Sequence, residues 1–365
     1  MTARFHADHV GSLLRPPELL EARRARAEGR LGAEELRAAE DRAILDVLAL
    51  QRDVGLGIYS DGELRRDAWM SDLAEAVEGF TPERVPMQWR GPGASGEGSR
   101  AMVAGARLRQ TRRLTAHEAS FLKAHSPGPF KITMPSPSVF IQASYRPGIT
   151  DKVYPTRGAL LDDLVPIVRS EIAALLDEGV SYVQLDAPQY TYYGDPTLSE
   201  AMRRDGIDLE QMVEAAVAGD VACLQGLARE GVTLACHICR GNNRSRWVAE
   251  GGYDFLAERL FGALPVDTFL LEYDSERAGG FEPLRFVPRG KTVVLGLVTT
   301  KEPRLESPDE LRRRIEEASR YVPLENLALS PQCGFASVAE GNLLSVDDQR
   351  RKLELVVDTA RKVWG

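Results

Sequence analysis

The segment from Thr233 to Asn243 reads T-L-A-C-H-I-C-R-G-N-N, and its two halves differ in character. The first half is apolar and β-branched, as expected of a buried strand, and the second is a loop rich in glycine and asparagine. Side chains two residues apart in a strand point to the same face, so His237 and Cys239 are expected side by side, with Cys236 facing away. An imidazole nitrogen and a thiolate on one edge favour a soft metal ion such as zinc. Ordinary core packing is the alternative interpretation of such a pair.

Two later strand patterns end in further residue types that bind zinc. Residues 267–272 read D-T-F-L-L-E, and residues 326–334 read N-L-A-L-S-P-Q-C-G. Polar side chains at the carboxyl ends of several buried strands form the active sites of (β/α)8 barrels. The convergence of these strand ends predicts a zinc site with His237, Cys239, Glu272 and Cys333 as its ligands.

Short apolar segments alternate with helical patterns along the whole chain, which is typical of a parallel α/β fold. Eight such segments predict an α/β (β/α)8 TIM barrel that forms one catalytic domain over residues 1–365. The predicted strands are residues 9–14, 57–62, 130–134, 182–186, 233–239, 268–272, 292–297 and 327–330. The predicted helices are residues 17–54 in two parts, 160–178, 209–229, 255–261, 307–321 and 347–363.

One stretch interrupts the alternation between the second and third predicted strands. Residues 89–98 read W-R-G-P-G-A-S-G-E-G, and no long helical period follows until residue 115. Turn-rich sequence of this kind predicts an inserted arm over residues 80–128. We interpret the arm as a hairpin that covers the barrel mouth, or as a surface excursion without function.

The composition excludes several classes of protein. The 365 residues are 43% hydrophobic and 27% charged, which is ordinary for a globular protein. The net charge of −8 without a pronounced basic block disfavours nucleic acid as a partner. The N-terminal residues M-T-A-R-F-H lack the apolar core of a signal peptide, and no apolar run is long enough to cross a bilayer. We therefore expect a cytoplasmic protein with no membrane partner, and leave assembly into a homo-oligomer open.

Three further strand ends carry residues able to bind a substrate, namely Ser12, Glu63 and Asp186. Two carboxylates and a hydroxyl beside zinc predict a small zwitterionic ligand. Its ammonium group would lie on Glu63 or Asp186 and its carboxylate on Ser12. Each residue also has a simpler interpretation: Ser12 as a turn cap, Asp186 as a brace for its loop, and Glu63 in a surface ion pair with Arg65 or Arg66.

The predicted ligand set indicates the type of reaction. Two thiolates, an imidazole and a carboxylate make an electron-rich zinc, which is less suited to water activation than His₃ or His₂Glu zinc. Such a zinc suits a substrate thiol, whose pKa the metal lowers. The implied reaction is alkylation of a zinc-bound thiolate. Cys236 and Cys239 also form a C-x-x-C pattern, but redox pairs of this kind lie at a helix N-terminus rather than along a strand.

Six segments, taken in order, resemble the catalytic domain of cobalamin-independent methionine synthase in its short, single-barrel form. They are H-V-G-S at 9–12, D-G-E at 61–63, Q-L-D-A-P at 184–188, H-I-C at 237–239, L-E at 271–272 and P-Q-C-G at 331–334. The resemblance implies that the four residues named above hold zinc. It also implies that homocysteine is held by Ser12, Glu63 and Asp186, and that 5-methyltetrahydrofolate donates a methyl group to it.

The chain departs from the family pattern where the methyl donor would bind. The family commonly has a histidine after the seventh strand, where this chain reads V-T-T-K-E at 298–302 with Lys301 nearest. The resemblance therefore implies Asp186, Glu63 and Lys301 as catalytic residues. The family stacks the pterin on a tryptophan, and none is found near residues 136–140. Tyr145, Tyr154 and Trp89 are expected to cover the donor, whose identity, methyl-folate or another alkyl donor, stays open.

Other functions remain as alternatives. The short branch also resembles epoxyalkane:coenzyme M transferase, which adds a thiolate to an epoxide. The sulfonate of such a thiol needs a basic pocket, for which Arg65, Arg66 or Arg240 is available, and we also predict Arg240 as a substrate-binding residue. A barrel with a structural zinc that only binds a ligand, and a metal-free barrel similar to uroporphyrinogen decarboxylase, are further alternatives.

Overall fold

A computed structural model describes residues 5–85, 87–93 and 99–365 of the chain. Two strands pair as an antiparallel hairpin, β1 (Val77–Val85) and β2 (Ser99–Gln110). Six strands then form one parallel sheet in chain order. They are β3 (Ile132–Pro135), β4 (Tyr182–Asp186), β5 (Thr233–Ile238), β6 (Thr268–Glu272), β7 (Thr292–Val298) and β8 (Leu327–Pro331).

The helices lie between these strands, as the alternation of the sequence predicts. They are α1 (Pro17–Ala27), α2 (Ala33–Val54), α3 (Ser71–Ala76), α4 (Ala116–His125), α5 (Pro137–Ala143), α6 (Arg157–Asp177), α7 (Gln189–Gly194), α8 (Pro196–Arg204), α9 (Leu209–Leu224), α10 (Ala257–Phe261), α11 (Pro308–Ala318) and α12 (Val346–Trp364). Within the described ranges, no helix combines the length and the apolar character needed to cross a membrane.

The first two predicted strands are not regular strands. In place of a strand over residues 9–14, the structure has a single parallel bridge between Ala7 and Leu329 of β8. In place of a strand over residues 57–62, it has one bridge between Tyr59 and Phe130, just before β3. Residues 8–14 and 60–65 instead make loop contacts, such as the hydrogen bond from Leu13 N–H to the Gly62 carbonyl. The described sheet is therefore six-stranded, with one bridged segment at each edge.

A small cluster of apolar side chains lines one face of the sheet. It takes one residue from each of β4 to β8 and adds Ile58, and its members are Ile58, Tyr182, Ala235, Leu270, Val294 and Ala328. Beside it, a buried ion pair joins Lys131 to Asp8 at 2.7 Å, and Tyr182 donates a hydrogen bond to the same carboxylate at 2.8 Å. The larger core lies between the strands and the surrounding helices. Both edge segments are thus fixed to the sheet by buried contacts.

The β1–β2 hairpin lies within residues 80–128 for most of its length but begins at Val77. The segment that follows β1 bonds to the loop after β5, because Arg90 and Trp247 exchange backbone hydrogen bonds at 2.7 and 3.1 Å. The Arg90 guanidinium also lies 2.8 Å from the buried carboxylate of Asp195. These contacts hold Trp89 over the carboxyl end of the sheet. Residues 86 and 94–98 of the predicted arm lie outside the described residues.

Gly296 of β7 packs closely against the backbone of neighbouring segments, and a substitution can test this packing. A Cβ atom there would lie 2.8 Å from the Cα of Gln332 and 2.9 Å from the Leu271 carbonyl oxygen, and neither backbone can move easily. Gly296→Ala is expected to lower the free energy of unfolding in urea by about 1–3 kcal/mol, as overpacking usually does. The matched control is Gly158→Ala in the first turn of α6, where the nearest atom would be 3.7 Å away. Equal stability of the two variants would contradict this account of β7.

Candidate metal centre

Three of the predicted zinc ligands meet at the carboxyl end of the sheet. His237 lies in β5, Cys239 follows one residue after that strand, and Cys333 lies two residues after β8. Their ligand atoms all lie within 4.8 Å of one another, and the three residues are buried. The Cys333 sulfur is 3.7 Å from Nε2 of His237. One nitrogen and two sulfurs at this spacing are a donor set that suits zinc.

The other nitrogen of His237 is fixed by the backbone. Nδ1 lies 3.2 Å from the carbonyl oxygen of Leu270 in β6. Because a carbonyl only accepts hydrogen bonds, Nδ1 must carry a proton, and Nε2 is the nitrogen that faces the Cys333 sulfur. Metal-bound histidines commonly have an outer partner of this kind. The sheet therefore orients His237 as a ligand before any metal binds.

The two thiols share one hydrogen-bonded site. Hydrogen bonding with Cys239, and then with His237, lowers the pKa of the Cys333 thiol well below its usual value, although burial acts in the opposite direction. The same contact with Cys333, together with burial, raises the pKa of Cys239. The hydrogen bond between the two thiols thus favours a thiolate at this pair. Cys236 faces the hydrophobic core, where burial raises the pKa of its thiol, so the C-x-x-C pattern does not form a redox pair.

Glu272, the fourth predicted ligand, does not join this group. One carboxylate oxygen accepts hydrogen bonds from Arg277 at 3.1 and 3.2 Å, and the other accepts from the backbone N–H of Arg240 at 2.8 Å. Burial alone would raise the pKa of Glu272, but Arg240 and Arg277 lower it below its usual value. The carboxylate is thus ionised and paired, although its position at the end of β6 lies beside that of Cys239.

Asp186 and Glu63 line the cavity that opens over the three donors. The cavity also contacts Ser12, His237 and the two cysteines. Asp186 ends β4 in register with His237, which explains its place beside the metal group. Burial raises the pKa of Asp186 to about 7, and Glu63 adds to the rise while His237 opposes it. Burial also raises the pKa of Glu63.

A buried cluster of charges holds Glu63 in place. Its backbone is left-handed, with φ of 57°, and its carboxylate accepts a hydrogen bond from Thr133 at 2.8 Å. Arg66 lies 3.9 Å from the same oxygen and pairs more closely with Asp72 and Glu118, each at 2.6 Å. Glu63 is therefore not in a surface ion pair. It is the end of a buried network that aims it into the cavity.

Ser12 reaches the cavity because glycine stands opposite it. A Cβ atom on Gly334 would lie 1.9 Å from Oγ of Ser12. The hydroxyl oxygen of Ser12 accepts a hydrogen bond from the backbone N–H of Ala336 at 3.4 Å. The loop that carries Cys333 thus packs directly against the loop that carries Ser12. The D-A-P and P-Q-C-G segments and the H-V-G-S segment meet at one end of the sheet.

Known proteins are similar to this chain along nearly its whole length. The sequence matches the family described as "Cobalamin-independent synthase, Catalytic domain" over residues 5–362. The chain belongs to this cobalamin-independent synthase family. It is 38% identical to YxjH, an uncharacterised protein of Bacillus subtilis strain 168, over 99% of this chain and 95% of that protein. It is 25% identical to the methionine synthase of Sulfurisphaera tokodaii, over 89% of this chain and 84% of that protein.

A solved structure supports the same assignment. The "Putative Vitamin-B12 Independent Methionine Synthase" of Listeria monocytogenes is 30% identical in sequence and superposes with a TM-score of 0.75. The match covers 100% of this chain and 99% of that one. The cobalamin-independent synthase family thus accounts for the fold of the full chain.

Two predicted site residues of this cobalamin-independent synthase domain do not reach the cavity. Lys301 donates hydrogen bonds to the Gly241 carbonyl at 3.2 Å and to Asn242 Oδ1 at 3.1 Å, behind the cavity wall. The Arg240 guanidinium binds backbone carbonyl oxygens, including those of Gly251 and Glu272. Arg240 therefore holds loops together rather than a substrate, and Lys301 braces the loop that carries Asn242.

The basic pocket expected for a sulfonate is also not formed. Arg65 pairs with Glu40 and Asp41, and Arg66 belongs to the buried network described above. Among the described residues that line the cavity, none is a lysine or an arginine. This disfavours coenzyme M, whose sulfonate would need a cation. The alternative of epoxide addition to coenzyme M loses its predicted binding site.

The cavity has aromatic walls that the sequence reasoning predicted only in part. Trp89 lines it as expected, but Tyr145 donates its hydroxyl to the Tyr154 carbonyl and neither tyrosine lines the cavity. Trp69 and Tyr192 line it instead. The sequence does offer an indication of Tyr192, because it lies in the aromatic run Q-Y-T-Y-Y directly after the D-A-P segment. Asn242 was signalled by its place three residues after Cys239.

The buried charges around Glu63 include Asp61, whose effect on the free energy of unfolding should depend on pH. Burial, with Glu118 adding to the effect, raises the pKa of Asp61 to about 7 from the usual 3.8. The folded protein thus keeps this proton up to higher pH than the unfolded chain, so the contribution of Asp61 to stability falls as pH rises between about 4 and 7. Replacing Asp61 with asparagine removes this loss. We expect Asp61→Asn to gain at least about 1 kcal/mol of unfolding free energy relative to the wild type between pH 5 and pH 8.

The measurement is urea unfolding at each pH, followed by circular dichroism. Asp46→Asn, an exposed aspartate of α2, makes the same change of net charge and is the matched control. A difference between Asp61→Asn and the wild type that is independent of pH would show that Asp61 is ionised throughout this range.

Proposed function

We propose that this protein transfers a methyl group to the sulfur of homocysteine in a zinc-dependent reaction. The observation that carries the proposal is the group formed by His237, Cys239 and Cys333, within 4.8 Å of one another beside a cavity that contains two buried carboxylates. The names of relatives as methionine synthases support it. A cytoplasmic location stays a prediction.

The donor set fits a catalytic zinc rather than a purely structural one. Structural zinc sites have four protein ligands, whereas catalytic sites keep a position for substrate. Here three donors are grouped and Glu272 is paired with Arg277. We propose that Glu272 is the fourth ligand and the one that yields to the substrate. Zinc bound here would lower the pKa of the substrate thiol, so that it reacts as a thiolate near neutral pH.

The chain's own residues would hold the amino-acid part of homocysteine. Asp186 and Glu63 are buried acceptors for its ammonium group, which would favour their ionised forms. Ser12 is the hydroxyl available to its carboxylate. Trp69, Trp89 and Tyr192 would keep water away from the reacting sulfur, because they form the walls of the cavity. In this proposal Asp186 and Glu63 position the substrate, and Lys301 stabilises the loop behind it.

We also propose that the sheet closes into a (β/α)8 barrel and that the β1–β2 hairpin is an insertion in it. The support is the single bridge at each edge of the six-stranded sheet, through Ala7 and Tyr59. Ile58 belongs to the same apolar cluster as one residue from each of β4 to β8, as expected if the sheet curls around it.

The metal prediction can be tested by elemental analysis of purified protein grown with zinc. We expect one zinc per chain, and His237→Ala, Cys239→Ala and Cys333→Ala should each weaken zinc binding by more than about tenfold, since even outer partners of a ligand are worth roughly 10- to 100-fold. Cys236→Ala removes a buried cysteine that faces the other way, and it should retain zinc. Wild-type protein without zinc would refute the proposed centre.

The substrate prediction can be tested by titration calorimetry with homocysteine. Asp186→Asn should weaken binding by about tenfold or more, because a hydrogen bond to a charged group is worth about 1.5–3 kcal/mol. Its zinc content should not change. Asp162→Asn, an exposed aspartate of α6, is the matched control. If coenzyme M binds well and homocysteine does not, a thiol–epoxide reaction replaces methyl transfer to homocysteine.

A further inference from the structure

The charge of the cavity restricts the second substrate. Glu63 and Asp186 line it with Cys239 and Cys333, and the described lining contains no lysine or arginine that would neutralise them. Among the nearby cations, Arg66 lies 3.9 Å from a Glu63 carboxylate oxygen but pairs more closely with Asp72 and Glu118. Lys301 binds backbone and amide oxygens, and Arg277 binds Glu272. An anionic second substrate would find no lysine or arginine on the described lining, whereas a cationic one would face Glu63 and Asp186.

The aromatic walls favour the same kind of substrate. Trp69 comes from the loop after the Glu63 segment, Trp89 from the segment after β1, and Tyr192 from α7. Indole and phenol faces attract cations within about 6 Å of the ring centre, and tryptophan does so most strongly. The Arg246 guanidinium carbon already lies 5.8 Å from the Trp89 ring centroid, although Arg246 does not line the cavity. Three aromatic side chains and two carboxylates are a typical surrounding for a bound onium ion.

The need of the leaving group for a proton also favours a cationic methyl donor. A methyl group on an aromatic amine nitrogen, as in methyl-folate, leaves behind a nitrogen anion unless a proton is delivered to it. Lys301, the residue predicted for this task, lies behind the cavity wall. A methyl group on a sulfonium leaves behind a neutral thioether, and the leaving group needs no proton.

We propose that the methyl donor is a methylsulfonium compound of amino-acid size, bound against Trp69, Trp89 and Tyr192; this rests on the proposed transfer to a thiol. The thiol proton is released to solvent before the reaction. The thiolate sulfur then attacks the methyl carbon and forms the new S–C bond. The bond from that carbon to the sulfonium sulfur breaks, and its electron pair stays on the departing thioether. One negative and one positive charge disappear, so atoms and charge balance.

Binding is tested first, without homocysteine, so that no methyl transfer takes place. The probes are S-methylmethionine and 2-amino-5-methylhexanoic acid, which has the same shape with carbon in place of the sulfonium sulfur. We expect the sulfonium to bind at least about tenfold more tightly to the wild-type protein, since a buried cation–π contact alone reaches about thirtyfold. This comparison needs no variant, and equal affinities would overturn the proposal.

Variants then locate the site. Trp69→Leu and Trp89→Leu should each reduce the preference for the sulfonium by between about twofold and thirtyfold, and should change the affinity for the carbon analogue less. Trp364→Leu is the matched control, because Trp364 lies in α12 and donates its indole N–H to the Leu324 carbonyl, far from the cavity lining. A preference that survives both cavity variants would place the sulfonium elsewhere and overturn the assignment.

Turnover is tested with zinc-loaded protein, deuterated homocysteine and four donors, with products identified by mass. S-methylmethionine should give deuterated methionine and should react faster than S-adenosylmethionine, and the reverse order would refute a donor of amino-acid size. Faster transfer from 5-methyltetrahydrofolate, or transfer only from glycine betaine, would refute a sulfonium donor but keep methyl transfer to homocysteine. Zinc-loaded protein that transfers no methyl group to homocysteine from any of the four donors would instead refute the proposed function itself.

Discussion

The cavity at the carboxyl end of the sheet is a buried region of negative charge, and much of the structure follows from that constraint. Two carboxyl groups and two thiols line it, those of Glu63, Asp186, Cys239 and Cys333, and its described lining has no lysine or arginine. Buried charges without partners are strongly destabilising, so such groups keep their protons or acquire cations. The raised pKa of Asp186, about 7, is the first response, and burial is its main cause. Bound cations would be the second, and the proposed zinc ion and cationic substrate would supply them.

The parallel sheet brings these groups together, because every strand ends at the same edge. Asp186 and His237 are register partners on β4 and β5, and Cys333 follows β8 on the far side of the group. The outer supports also come from the strands: the Leu270 carbonyl of β6 fixes the His237 ring, and the Thr133 hydroxyl of β3 donates to the Glu63 carboxylate. Side chains on irregular segments would be positioned less firmly. The rigid strands therefore give a site with several charges a single arrangement.

The hydrophobic periodicity of the sequence and the residues found at strand ends predict most of the sheet and the group of three metal donors. The alternation of segments predicted the six strands of the sheet, and the position of His237, Cys239 and Cys333 after buried strands predicted the donor group. The same reasoning did not foresee the contacts of Arg240 and Lys301, because a position near a strand end does not say where a long side chain reaches. Both side chains extend to backbone carbonyl oxygens that no local pattern announces. The prediction of the first two strands was wrong. Their residues form loop hydrogen bonds and one bridge at each segment instead of a regular strand.

The surroundings of Glu272 would let its carboxylate exchange hydrogen-bond partners for a metal ion at a small cost in free energy. It lies at the end of β6 beside Cys239, yet Arg277 and the backbone N–H of Arg240 bind both of its oxygens. A buried carboxylate that left a metal without another partner would be strongly destabilised. With Arg277 within 3.1 Å, Glu272 stays paired when it is not a ligand. The same arginine also binds Asp274 at 2.7 Å, so it would remain paired if Glu272 turned towards the cysteines, as the proposed zinc site requires. A carboxylate with two alternative sets of partners can yield its place to an incoming thiol, and this is the property that a site for thiol alkylation requires.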